Sequence, residues 1–141
     1  MKYFLIVFAL LTFSLSQSQE INFLGKWVQT KTEFYTNGKL ENTEKVSINY
    51  ECLNYIEFTV EGKIIPNYYS DDCKKQSHDS GIFKYNGGLW TLSQDNESYN
   101  AEMITSDGNK LQMVINRQDA DGNHIKVIAH LTKFEHLKKQ Q

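Results

Sequence analysis

The sequence predicts an all-β fold, an eight-stranded antiparallel up-and-down meander closed into a barrel. Turn signals recur along the chain at Asn37-Gly38, Glu61-Gly62, Asn86-Gly87-Gly88, Asp107-Gly108 and Asp121-Gly122. Asn-Gly and Asp-Gly pairs supply the positive φ angles that tight hairpins require. The segments between them are short and alternate with a period of two: Ile56, Phe58 and Val60 in one, Leu111, Met113 and Ile115 in another, Ile125, Val127, Ala129 and Leu131 in a third. Such alternation marks strands with one buried face and one wet face. With one proline and eight tyrosines, the composition suits pleated strands rather than flexible linker.

Taken in order, the pattern predicts strands over 25–36, 53–60, 63–70, 80–86, 89–94, 98–105, 110–117 and 124–134. Residues 40–51 stay open, as an extension of the first hairpin, a short helix, a loop or a lid. A meander of eight strands buries its apolar face and removes its edges by closing on itself, with a two-sheet sandwich as the competitor. No repeat, low-complexity tract or second domain interrupts it.

Ahead of the first strand lies a different kind of segment. Met1-Lys2-Tyr3 carries one positive charge, residues 4–13 are apolar, and Ser14, Ser16, Gln17, Ser18 and Gln19 are small or polar. This is the order of a cleavable secretory signal, and the apolar run is shorter than the roughly 20 residues of a spanning helix. The expected division is a signal peptide over 1–18, cut after Ser16 or Ser18, and a barrel domain over 19–141. The exported protein would be periplasmic or secreted.

Export puts Cys52 and Cys73 in an oxidising compartment, where an even cysteine count favours a disulfide. Pairing across the Gly62 turn sets Cys52 opposite Asp71 to Cys73, so register and bridge support each other. A formal charge of -2 gives no electrostatic case for nucleic acid. No later segment is apolar enough for a membrane helix.

Catalytic patterns are weak. Ser77-His78-Asp79-Ser80 has triad residue types, but adjacent side chains on one loop do not form a triad. Asp119-Ala120-Asp121-Gly122-Asn123 imitates a calcium loop without its helices or closing glutamate; a turn explains it better. Asn96-Glu97-Ser98 is a glycosylation sequon with meaning only on a eukaryotic secretory route. No metal site, cofactor or enzymatic activity is expected.

The start of the first strand is more informative. Leu24-Gly25-Lys26-Trp27 resembles the Gly-x-Trp motif that opens the first barrel strand of lipocalins. In that family the tryptophan closes one end of the barrel beneath a basic residue of the last strand. The resemblance gives Gly25, Trp27 and Lys133 these structural roles, with lysine where arginine is commoner. Cys52, Cys73, Gly81-Ile82-Phe83-Lys84-Tyr85 and Asn86-Gly87-Gly88-Leu89-Trp90 extend the likeness to small exported lipocalin-like domain proteins of bacteria. It implies a non-enzymatic protein holding a small hydrophobic or amphipathic ligand inside the barrel. If Trp27 points inward, strict alternation sends Lys31, Glu33 and Tyr35 inward too. Phe58, Val60, Phe83, Tyr85, Trp90, Tyr99, Met103 and Met113 would share that interior, and Lys31 is placed to meet a ligand carboxylate. The rival is a barrel filled by its own side chains, serving as an envelope interaction or structural module.

Overall fold

The computed structural model describes residues 22–140; the expected signal peptide, 1–18, lies outside the described residues. Nine strands form one antiparallel sheet: β1 (Gly25–Thr36), β2 (Lys39–Lys45), β3 (Tyr55–Phe58), β4 (Lys63–Asn67), β5 (Gly81–Asn86), β6 (Leu89–Gln94), β7 (Glu97–Ser106), β8 (Lys110–Gln118) and β9 (His124–Lys133). A short helix, α1 (Phe134–Lys138), follows. Consecutive strands pair from β3 to β9, and β9 returns to β1. Eight strands therefore close the barrel, as the sequence predicts.

The ninth strand comes from the open segment. Asn37 and Gly38, with φ of 49° and 81°, make the tight turn that folds Lys39–Lys45 back along β1. One edge of β1 thus serves two neighbours. Gly25 to Trp27 pair with β3, whereas Lys31 to Thr36 pair with β2. Every residue of β2 is exposed, so it extends the wall rather than the core.

A single extra residue decides which side chains enter the barrel. Along β1, Gln29 pairs with Leu131, but Lys31 already pairs with His130. Thr30 is therefore bulged, and a bulge reverses the alternation beyond it. Thr32 and Phe34 share the inner face with Ala129 and Val127, while Lys31, Glu33 and Tyr35 share the outer face with His130, Ile128 and Lys126. The expectation that these three point inward fails for this reason. Val60 fails differently, because β3 ends at Phe58 and leaves Val60 in the turn, 77% exposed.

The core fills the end of the barrel where β1 begins. Phe23 and Trp27 are buried there with Phe58, Ile64, Phe83, Trp90, Leu92, Leu111 and Leu131. Phe23, just ahead of β1, acts as a plug. Its ring lies 5.2 Å from Phe58, 5.5 Å from Phe83 and 4.8 Å from Trp90, in the edge-on and tilted arrangements that aromatic quadrupoles favour. Its carbonyl accepts a 2.8 Å hydrogen bond from the Trp27 indole. Lys133 stands 4.5 Å over the Trp27 ring and donates to the Leu24 carbonyl at 2.8 Å. One ammonium thereby ties the last strand to the chain entering the first.

Gly25 makes room for this contact. It sits at φ +110°, and a Cβ built there would lie 3.1 Å from Lys133 Nζ. Gly25→Ala combines backbone strain with displacement of the ammonium, so we expect a loss of about 1–3 kcal/mol. Urea denaturation would measure it. Lys133→Met should recover part of the loss in the double variant, because the two effects share a partner.

Candidate functional site

The bulge that turns Lys31 outward also starts the functional architecture. The Thr30 carbonyl accepts a 2.9 Å hydrogen bond from the Val46 amide, where the chain leaves β2. Residues 46–54 then run beside the stretch of β1 that β3 does not reach. Behind this loop lies a partly enclosed cavity of about 300 Å³.

Trp27, Gln29, Ile56 and Tyr68 belong to its barrel side, and Val46 to Asn49 with Cys52 and Asn54 belong to its loop side. Val28, Tyr55, Tyr69, Ser70 and Asp71 complete the lining. Trp27 therefore has two jobs, packing the closed end and lining the cavity.

Both loops that border the cavity are tied down. Cys52 and Cys73 form a disulfide, joining 46–54 to the connection between β4 and β5. The Asn49 side-chain amide lies 3.2 Å from Cys52 Sγ and 3.8 Å from Cys73 Sγ, and its oxygen accepts from the Glu51 amide at 3.0 Å. Asn54 Oδ1 accepts from the Tyr69 amide at 2.7 Å. Cys73 itself adopts a φ of 59°, a conformation that L residues enter at some strain. The bridge and the bond from its amide to Ser70 O, at 2.9 Å, hold it there.

The Tyr68 phenol on the barrel side, and Tyr99 near it but outside the lining, stay protonated at neutral pH. Burial pushes the Tyr68 phenol above its ordinary value, and neighbouring Tyr99 adds to the effect. Burial, then the charge of Glu97, does the same to Tyr99. A neutral phenol keeps its O–H as a donor.

The sequence-predicted ligand residues fall into three places. Phe58, Phe83 and Trp90 lie in the filled closed end. Tyr85, Tyr99, Met103 and Met113 share the inner face: Met103 pairs with Met113, and Tyr85 lies tilted with its ring 5.2 Å from Trp90 while 42% exposed. Lys31, Glu33 and Tyr35 form a cluster outside. None of the ten lines the lid cavity. The residues that do line it come mainly from segments without strand periodicity, which alternation arguments pass over. The usable signals were Val46 and Ile48, apolar in an otherwise polar stretch, and the disulfide, which marks where two loops meet.

The outer cluster is a compact ionic network. Glu33 receives Lys31 Nζ at 3.0 Å, His130 Nε2 at 3.0 Å and Tyr35 OH at 3.3 Å. An ionised carboxylate only accepts, so His130 presents its Nε2–H. Hydrogen bonding from His130, then from Lys31, outweighs burial and lowers the Glu33 pKa from 4.5 to about 2. A lowered carboxyl pKa contributes stability above its unfolded value, lost as pH falls through the folded one. Wild-type melting temperature should therefore fall more steeply between pH 4.5 and 2 than that of Glu33→Gln. Parallel curves would show that the network adds nothing to acid stability.

Among the described residues no group of His, Cys, Asp and Glu is arranged to hold a metal ion, and no helix is long and apolar enough to cross a membrane. The closed eight-strand barrel, followed by the short helix Phe134–Lys138, is a lipocalin-like fold. Lobster apocrustacyanin A1 superposes with a TM-score of 0.56 at 12% identity, over 88% of this chain and 70% of that one. Apocrustacyanin C1 gives 0.55 at 12% identity, over 89% and 70%. At such identity the likeness concerns the fold. No protein-family model and no curated protein matches the sequence.

Proposed function

We propose that this is an exported, non-enzymatic binding protein that holds a small amphipathic ligand in the cavity between the barrel and the 46–54 loop. The observation that carries the reading is the cavity itself. It has a volume of about 300 Å³, the lower end of the range for small-molecule sites. Its lining mixes aromatic and aliphatic surface with a few amide, hydroxyl and phenol groups, the usual make-up of such sites. The filled closed end argues against a ligand running the length of the barrel. The disulfide between Cys52 and Cys73 is compatible with export, since such bonds persist in oxidising compartments.

Native mass spectrometry of protein from its own source, with a thermal-shift panel of small amphipaths, tests the reading. Val46 lines the cavity and is 39% exposed, so Val46→Trp should occlude the site without disturbing the core. We expect at least one compound to raise the wild-type melting temperature and to lose that effect in V46W. No co-purifying ligand and no shift from any compound would leave the solid-barrel interaction module as the better reading.

A further inference from the structure

We infer that the lid cavity takes a small organic cation, an amine or quaternary ammonium on an aromatic or amphipathic body, and discriminates against carboxylates; this rests on the binding reading above. The charge of the lining points this way. Among its residues Asp71 is the one acid, and no lysine, arginine or histidine is present. A buried or half-buried carboxylate needs a cation or several N–H donors. The cation expected to supply that, Lys31, is on the outer face and bound to Glu33 at 3.0 Å. A carboxylate-headed ligand would therefore enter without a counter-ion.

An ammonium meets the opposite situation. Four aromatic rings, Trp27, Tyr55, Tyr68 and Tyr69, line the cavity, and ring faces attract cations, most strongly when water is excluded. The protein already seats ammonium groups on two of them. Lys133 stands 4.5 Å over Trp27, and Lys26 lies 5.3 Å from Tyr55 and 5.8 Å from Phe134. Neither lysine lines the cavity. His78 packs at a steep angle against Tyr68, with ring centroids 4.8 Å apart, but among the described residues no lysine stands over Tyr68 or Tyr69, and Asp71 has no ion-pair partner, whereas Asp72 beside it is taken by Lys74 at 2.8 Å. Size sets the other limit. A volume of about 300 Å³ equals about ten water molecules of liquid, so the ligand has roughly ten to fifteen non-hydrogen atoms.

Tryptamine, tryptophol and indole-3-acetate share a ring system and differ in the charge of one short arm. Equilibrium dialysis of the disulfide-intact protein with each compound reads charge preference at nearly constant shape. We expect tryptamine to bind about tenfold more tightly than indole-3-acetate, with tryptophol between. Asp71→Asn should narrow that gap severalfold, and so should salt, by screening. Glu102→Gln, an exposed acid on β7 outside the cavity, should not. Equal or reversed affinities overturn the inference but leave a small-molecule site standing. An undiminished preference in D71N removes Asp71 from it and overturns the electrostatic argument. If none of the three binds, the cation inference falls. The cavity reading then falls as well only if the broader amphipath panel also gives no V46W-sensitive shift.

Discussion

Replacing Cys52 and Cys73 together by serine will lower the melting temperature by roughly 10 °C and abolish the ligand-induced shift. The stability part follows from chain entropy. The bridge spans 21 residues, and closing a loop of that length in the unfolded state is worth roughly 3 kcal/mol. In a domain of this size each kcal/mol moves the midpoint by about 3–5 °C. Release of Cys73 from its φ of 59° returns a fraction of the loss. The ligand part follows from position. Cys52 itself lines the cavity, and the bridge joins the two loops that supply Val46 to Asn49 and Tyr69 to Asp71. Without it the buried Leu53 side chain still pins the end of the 46–54 loop next to β3, but the rest depends largely on hydrogen bonds such as Val46–Thr30 and Asn54–Tyr69. Net contributions of about 1 kcal/mol each are too small to keep a half-exposed loop ordered against its entropy. Differential scanning fluorimetry of both forms, with and without ligand, separates the effects. A fall in midpoint with an intact ligand shift would mean that the hydrogen bonds suffice to shape the cavity.

What the sequence made legible was whatever depends on pairwise alternation and turn chemistry. The eight barrel strands, the hairpins at Asn37-Gly38 and Asp107-Gly108 and the Cys52–Cys73 bridge all follow from local rules. Those rules also predict buried positions well at the closed end, where Trp27, Phe58, Phe83 and Trp90 pack together. They mislead as soon as one residue is inserted. Thr30 has no property that distinguishes a bulged threonine from a paired one, yet it moves Lys31, Glu33 and Tyr35 to the opposite face. A carboxylate–lysine motif inside a cavity becomes an ionic network on the outside. The cavity was hidden for a second reason. Val46 to Asn49 and Tyr69 to Asp71 come together through tertiary pairing across more than one strand, and neither segment has a period to read. Phe23 was missed because it precedes the first strand, where alternation does not apply.

Phe23→Ala should be the most destabilising single substitution in the domain, by about 3–5 kcal/mol, with a fall in midpoint of more than 10 °C. The side chain is 1% exposed, and the rings of Phe58, Phe83 and Trp90 surround it within 5.5 Å. Truncation leaves a void that these rings fill poorly, because each is anchored on its own strand of a closed sheet. The backbone adds to the effect. Phe23 O holds the Trp27 indole, and Leu24 O holds Lys133, so a loosened entry segment weakens the contacts joining β1 to β9. Near-UV circular dichroism gives a direct readout, since Trp27 and Trp90, the two tryptophans of the chain, both lie in this cluster. F23A should lose most of that signal while keeping its far-UV β spectrum. Phe23→Leu, which retains apolar volume, should recover more than half of the stability. If F23A instead melts within about 1 kcal/mol of wild type, the closed end repacks freely. Phe23 would then be an incidental occupant of an end that Trp27 and Lys133 close by themselves.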